Sequence, residues 1–215
     1  MTKIRVLLAD DHETVRHGLK LLIDEQADMQ VVAEAPDGER AVAQVCALHP
    51  DVAVLDVSMP KINGLLAARQ IRASAPDTAV VALTRYSDLA YVEELLAAGA
   101  VGYVLKQSAS TELLRAIRAA ARGERHVDQA TMRQLPSSRH SGRSGSSRPV
   151  ITDREGEVLR LMALGHSNKE VAQALGVAVK TVEVHKANAM RKLGLAGRID
   201  VIKYAVFRGW LTDAE

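Results

Sequence analysis

A chain of 215 residues, 47% apolar and only 3% aromatic, has room for two small domains, each with its own core. Its apolar runs are short, residues 52–55 and 79–83 among them, and this excludes a membrane-embedded chain. The net charge of +2 hides a division: residues 1–124 carry 13 Lys and Arg against 17 Asp and Glu, and residues 125–215 carry 15 against 9, so an acidic module precedes one suited to a polyanion.

The N-terminus turns acidic at Asp10-Asp11, too early for a secretory signal, and with the single cysteine Cys46 this points to the cytoplasm. From there, runs rich in Val, Ile and Leu at 4–9, 31–35, 52–55, 79–83 and 101–105 alternate with helical patterns. The first helix carries Val15, Leu19, Leu22 and Ile23 as a stripe at helical spacing. Cys46, beside Val42 and Val45, is expected to be a buried hydrophobe. Strands apolar on both faces, alternating with helices, predict a doubly wound five-stranded parallel sheet, for which the flavodoxin-like order 2-1-3-4-5 is a common solution.

In such a sheet ligands bind beyond the carboxyl ends of the strands, where this sequence has Asp10, Asp11, Asp56, Thr84 and Lys106. Clustered carboxylates repel one another unless a cation neutralises them, and an oxygen-rich set with few side-chain ligands suits Mg²⁺, with Asp11 and Asp56 as its expected ligands. A carboxylate beside the ion is a nucleophile toward phosphorus, and Thr84 and Lys106 supply a donor and a cation for the transferred group.

Residues 125–149 lose all apolar periodicity and, from Pro136 to Pro149, contain only Ser, Gly, Arg, His and Pro, the composition of a flexible basic linker. Beyond it the pattern is helical. Thr152-x-x-Glu155 and Ser167-x-x-Glu170 are capping boxes that open two helices. A third helix is expected over about 179–193 and a fourth over about 198–208. The tight turn at 176–178 makes the second and third a helix-turn-helix, giving an all-α four-helix second domain over 150–215.

These residues carry a resemblance. Residues 4–123 resemble the receiver domain of bacterial response regulators, through Leu-Leu-Ala-Asp10-Asp11-His, Val-Leu-Asp56-Val-Ser-Met59-Pro60, Ala-Leu-Thr84 and Gly102-Tyr103-Val-Leu-Lys106. Residues 151–211 resemble a LuxR-type helix-turn-helix, through Thr152-Asp-Arg-Glu155, Gly165-His-Ser-Asn-Lys169-Glu and Lys180-Thr-Val-Glu-Val-His-Lys186. Together they are similar to the NarL/FixJ family. The resemblance implies a receiver over 1–124 in which Asp56 is the phosphoacceptor. Asp10, Asp11, Asp56 and the Ser58 backbone carbonyl would hold Mg²⁺, and Thr84, Tyr103 and Lys106 would form the switch. It further implies a sensor histidine kinase as partner, with pairing residues near Thr14, His17 and Gly18, and no catalysis beyond the receiver's own phosphorylation and dephosphorylation. A Mg²⁺-dependent phosphatase is the competing enzyme reading, but the sequence offers it no second acid and no cap insertion.

For the second domain the resemblance implies binding of double-stranded promoter DNA as a homodimer. Lys180, Glu183, Val184 and Lys186 are expected near base edges, and Asn168, Lys169, Thr181, Arg191 and Lys192 on phosphates. The dimer seam is expected on the last helix at Val201, Ile202 and Ala205. Whether phosphorylation frees the second domain, favours dimers or does both stays open. Three positions depart from the family pattern: Arg85 after Thr84, Gln107 after Lys106, and Ala178 where the family commonly has a Ser or Thr cap.

Overall fold

The computed structural model describes residues 2–85, 89–127 and 151–211. The chain divides into two compact units, Met1–Gln134 and Leu135–Glu215. Residues 128–149 of the expected linker lie outside the described residues.

In the first unit β1 (Ile4–Ala9), β2 (Met29–Ala35), β3 (Val52–Asp56), β4 (Ala79–Thr84) and β5 (Ala100–Leu105) alternate with α1 (Glu13–Asp24), α2 (Gly38–Leu48), α3 (Gly64–Ser74), α4 (Leu89–Ala98) and α5 (Ala109–Ala121). The strands run parallel in the expected order, with one addition. His126–Val127 forms a sixth strand, β6, paired in parallel with β5, so the sheet reads β2-β1-β3-β4-β5-β6. The expected five strands are therefore corrected to six, and the first residues assigned to the linker belong to the sheet.

The sheet is apolar on both faces because each pleat meets helices. Val6, Leu8, Val52, Val54, Val81, Leu83 and Val104 pack with Leu19 and Ile23 of α1 and Leu113 and Ile117 of α5. The intervening Leu7, Ala9, Ala53, Leu55 and Ala82 occupy the opposite pleat and are equally enclosed. Within α1, Leu19 and Ile23 turn inward while Val15 is exposed, so the stripe is narrower than its spacing suggested. Cys46 is corrected from buried to exposed. The inward positions of α2 are Gly38, Ala41 and Val45, and the next residue lies roughly 100° further round the helix.

Register explains why the strand ends form a site. Ala9 pairs with Leu55, Asp56 with Leu83, and Thr84 with Leu105. The residues that end or follow β1, β3, β4 and β5 are thus carried to one edge of the sheet.

The second unit contains α6 (Asp153–Ala163), α7 (Asn168–Leu175), α8 (Val179–Leu193) and α9 (Arg198–Phe207). Both predicted capping boxes form: Thr152 with Glu155 opens α6, and Ser167 with Glu170 opens α7. Gly176 stops α7 in the left-handed region, at φ 64° and ψ 36°, where a side chain would be disfavoured. The turn to α8 follows at once. Val158 and Met162 of α6 pack on Val171, Ala172 and Val182, and Leu159 packs on Ala189 and Val201.

Candidate functional site

At the carboxyl edge of the sheet, Asp10 and Asp56 are almost wholly buried, at 0% and 2% exposure, while Asp11 stays open to solvent. Two carboxylates so enclosed need donors, and Lys106 supplies them. Its Nζ lies 2.7 Å from Asp10 Oδ2 and 2.8 Å from Asp56 Oδ2. Asp10 Oδ1 also accepts the His12 backbone N–H at 2.9 Å, and Asp56 Oδ1 accepts the Ser58 N–H at 3.2 Å. Burial, opposed by Lys106 and reinforced by the Asp10 charge, holds the Asp56 carboxyl above its ordinary range.

Ligand atoms of Asp10, Asp11, His12 and Asp56 all lie within 4.8 Å of one another. Three carboxylates against one ammonium leave the cluster short of positive charge, and its donors are mainly oxygen. The residues present therefore fit a divalent cation. His12 was not anticipated. Its Nδ1 sits 2.7 Å from Asp11 Oδ1, and the only signal in the sequence was its place directly after the paired aspartates. Ser58, whose carbonyl is expected to face a metal, follows Asp56 by two residues and donates its amide to that carboxylate.

The loop from β3 to α3 is held close beneath Asp56. Gly64 donates its N–H to the Val57 carbonyl at 3.0 Å, and a Cβ added there would collide with the Asp56 carbonyl oxygen. Lys61, at φ 62°, bonds Asp37 at 2.8 Å. Thr84 ends β4 and is fully buried, as is Tyr103 in β5, which is already enclosed rather than turned out to solvent. Arg85 is exposed beside Thr84, and Gln107 sits in the 3₁₀ turn Lys106–Ser108.

On the second unit, Lys180, Thr181, Glu183 and Val184 form the exposed start of α8, with Lys186 half-buried on its flank. Lys169 is exposed on α7, where Asn168 is half-buried, and Arg191 is exposed near the end of α8. Lys180 pairs with Glu183 at 3.3 Å and Arg191 bonds Asn188 at 3.1 Å. Ala178 occupies the N-cap position of α8 with extended backbone and no side-chain cap.

Two expectations are corrected here. Lys192, expected on a phosphate, is drawn into its own unit: its Nζ is 2.7 Å from Glu155 Oε2, in a pair whose side chains are only 17% and 5% exposed. Val201 and Ala205 do not form a seam, because both are fully buried in their own unit's core. Of the three expected seam residues only Ile202 is exposed, alongside Ile199 and Val206. Two further basic residues, His166 in the α6–α7 turn and Arg198 at the start of α9, had no role assigned from the sequence. They line a cleft with Lys186.

A buried aspartate ringed by acids and a lysine at the edge of a parallel sheet, joined to a helix-turn-helix unit, defines a phosphorylation-type switch coupled to a DNA-binding module. Residues 6–118 match the response regulator receiver domain family, and residues 149–205 match the bacterial regulatory proteins of the luxR family. The chain belongs to the response regulators of two-component systems that carry a LuxR-type DNA-binding domain, the NarL-type arrangement.

Among its relatives is the oxygen regulatory protein NreC of Staphylococcus aureus, 39% identical over 210 residues, which cover 94% of this chain and 97% of that one. NreC of Staphylococcus epidermidis is 40% identical over 211 residues, with the same coverage. Among solved structures, that of two RcsB dimers bound to two parallel DNAs is 28% identical with a TM-score of 0.77, covering 96% of this chain and 99% of that one. RcsB of Salmonella enterica serovar Typhimurium, bound to the promoter rprA with the phosphomimetic BeF3-, gives 28% and 0.75 over 98% and 99% of the two chains. Neither matched family is an enzyme family. Among the described residues no helix is long and apolar enough to cross a membrane.

Proposed function

We propose that a sensor histidine kinase phosphorylates Asp56 and that the phosphorylated chain binds promoter DNA as a homodimer in the cytoplasm. The observation that carries this reading is the Lys106 ammonium, bonded at once to two buried carboxylates, Asp10 at 2.7 Å and Asp56 at 2.8 Å. An Asp56 oxygen attacks the phosphorus of the donor phosphohistidine, the P–N bond breaks, and its electron pair leaves with the imidazole nitrogen. Asp10, Asp11 and Asp56, with the Ser58 carbonyl, would hold Mg²⁺, which when bound offsets the negative charge of the transferring oxygens.

Lys106 has three N–H donors, enough to keep a bond to Asp10 while meeting a phosphoryl oxygen. Thr84 donates its hydroxyl to a second oxygen, and Tyr103 keeps its enclosed position once Thr84 has engaged. Hydrolysis of the chain's own phosphoaspartate, which returns Asp56 and inorganic phosphate, is the one turnover in this scheme. The receiver extends over residues 1–127, because β6 belongs to it, and the DNA-binding domain over 150–215. In that domain α8 enters the major groove with Lys180, Glu183 and Val184 toward bases, while Asn168, Lys169, Thr181 and Arg191 meet phosphates; Lys186, expected near bases, is half-buried on the flank of α8 and joins the phosphate set. The dimer seam runs along Ile199, Ile202 and Val206.

The test is the intact mass of wild-type and Asp56→Asn chains after incubation with acetyl phosphate and Mg²⁺, followed by titration with a duplex from the chain's own upstream region. One added phosphoryl group and tighter binding in the wild type alone are expected. No mass gain in the wild type refutes the phosphoacceptor and favours a receiver controlled by protein contacts only.

A further inference from the structure

A cleft of about 320 Å³ lies on the second unit, between the α6–α7 turn, the flank of α8 and the start of α9. Its floor is apolar: Met162, Met190 and Val201, of which Met162 and Val201 belong to the buried core. Three basic side chains surround it, His166, Lys186 and Arg198, and no carboxylate is among its lining residues. The volume equals that of roughly ten water molecules at about 30 Å³ each, enough for a hydrated phosphodiester.

The basic groups have few competing partners. Lys180 and Lys192 have carboxylates of their own, at 3.3 and 2.7 Å. Among the described residues, no ion pair is found for Lys186 or Arg198. Arg198 reaches from α9 to donate from Nη2 to the Gly165 carbonyl at 3.3 Å, which uses one of its five N–H groups. The nearest acids act elsewhere. Asp200 accepts the Ala196 and Gly197 N–H groups at 2.9 and 3.2 Å, and Glu170 is engaged in the Ser167 capping box. Like charges held around one hollow repel one another, and an anion relieves that repulsion.

From this cleft we infer a phosphate clamp: Arg198 and Lys186 grip a phosphodiester of the DNA backbone beside the groove that α8 reads, with His166 at the rim. Lys186 and Met190 line the cleft from α8 itself, so its occupant lies alongside whatever that helix touches. The clamp rests on the DNA-binding reading and extends it to Arg198, outside the helix-turn-helix. It positions the chain on DNA and reads no sequence.

The experiment is equilibrium titration of the full chain with two fluorescein-labelled duplexes, one from its own upstream region and one of scrambled sequence, across a range of salt concentrations. Arg198→Gln removes the charge and keeps a donor for Gly165, while Arg198→Lys keeps the charge. Arg198→Gln is expected to lower the magnitude of the log K against log salt slope by about 0.9 on both duplexes and to weaken both by a similar factor, about tenfold. Lys186→Gln should do the same, the pair together lowering it by about 1.8, and Arg198→Lys should retain the wild-type slope. An unchanged urea midpoint by Trp210 emission establishes that the variants fold. An unchanged slope in folded Arg198→Gln, or a loss confined to one duplex, overturns the clamp. A wild-type chain that binds neither duplex overturns the DNA-binding reading and the clamp with it.

Discussion

The buried pair of Glu155 and Lys192 gives the most quantitative test. Glu155 Oε2 accepts from Lys192 Nζ at 2.7 Å and from the Thr152 backbone N–H at 2.7 Å, so one carboxylate caps α6 and anchors the end of α8. Removing one partner of a buried pair costs about 3–5 kcal/mol, because the other charge is left without compensation. Lys192→Met should sit near the lower end, about 3 kcal/mol, since Glu155 keeps its Thr152 donor. In a unit of this size each 1 kcal/mol moves the melting temperature by about 4–8 °C, so a fall of about 12–24 °C is expected. Glu155→Gln retains the capping box, where Gln serves as well as Glu, and leaves an ammonium that can turn outward. It should cost about 1 kcal/mol, and the double variant little more, so the coupling is about 2–3 kcal/mol. Trp210 is the single tryptophan and packs edge-on against Tyr204, at 5.7 Å between ring centroids, so its emission in the full chain reports this unit alone. If Lys192→Met is as damaging beside Glu155→Gln as on its own, the pair is not the anchor described.

The same carboxylate sets an acid limit. Burial pushes Glu155 up, but Lys192 and Thr152 together hold it below its ordinary 4.5, so its contribution is complete above that value and is lost as pH falls through the folded one; a flatter acid limb in Glu155→Gln, by Trp210 emission, is the check. Ala178→Ser supplies the missing cap on α8 and should stabilise the second unit by about 1 kcal/mol, a rise of about 4–8 °C by calorimetry; no rise contradicts it. Mg²⁺ at about 100 times its dissociation constant should stabilise the first unit by about 2.7 kcal/mol, and the gain should shrink in Asp56→Asn and reverse with chelator. Ile202→Asp should abolish dimerisation on DNA in a folded chain, whereas Val201→Asp should unfold the second unit by burying a charge; sedimentation and Trp210 emission distinguish them.

How much of this was legible in the sequence follows from where each signal resides. The strands stood out because both faces are buried, leaving unbroken runs such as Val52–Asp56. The acid site stood out because parallel register brings strand ends into one row, so sequence order alone collected Asp10, Asp56, Thr84 and Lys106. β6 was invisible, since two residues at a sheet edge have no periodicity to display. Lys192 has the same chemistry as an exposed lysine, and only folding brings it to Glu155, 37 residues earlier. The phase of α9 was ambiguous because Ile199, Val201, Ile202, Ala205 and Val206 put apolar groups on two faces. His166 and Arg198 lie on different elements, and no local pattern joins them.

β6 gives the first unit an unusual place of departure. Val127 pairs with Tyr103, and His126 is pinned to Glu112 of α5 at 3.0 Å, so the described part of the first unit ends on a plank laid against the strand that carries Tyr103. A plank two residues long has few hydrogen bonds to surrender, each worth about 1 kcal/mol net. β6 is therefore held to the sheet by little more than those bonds and the contact from His126 to Glu112.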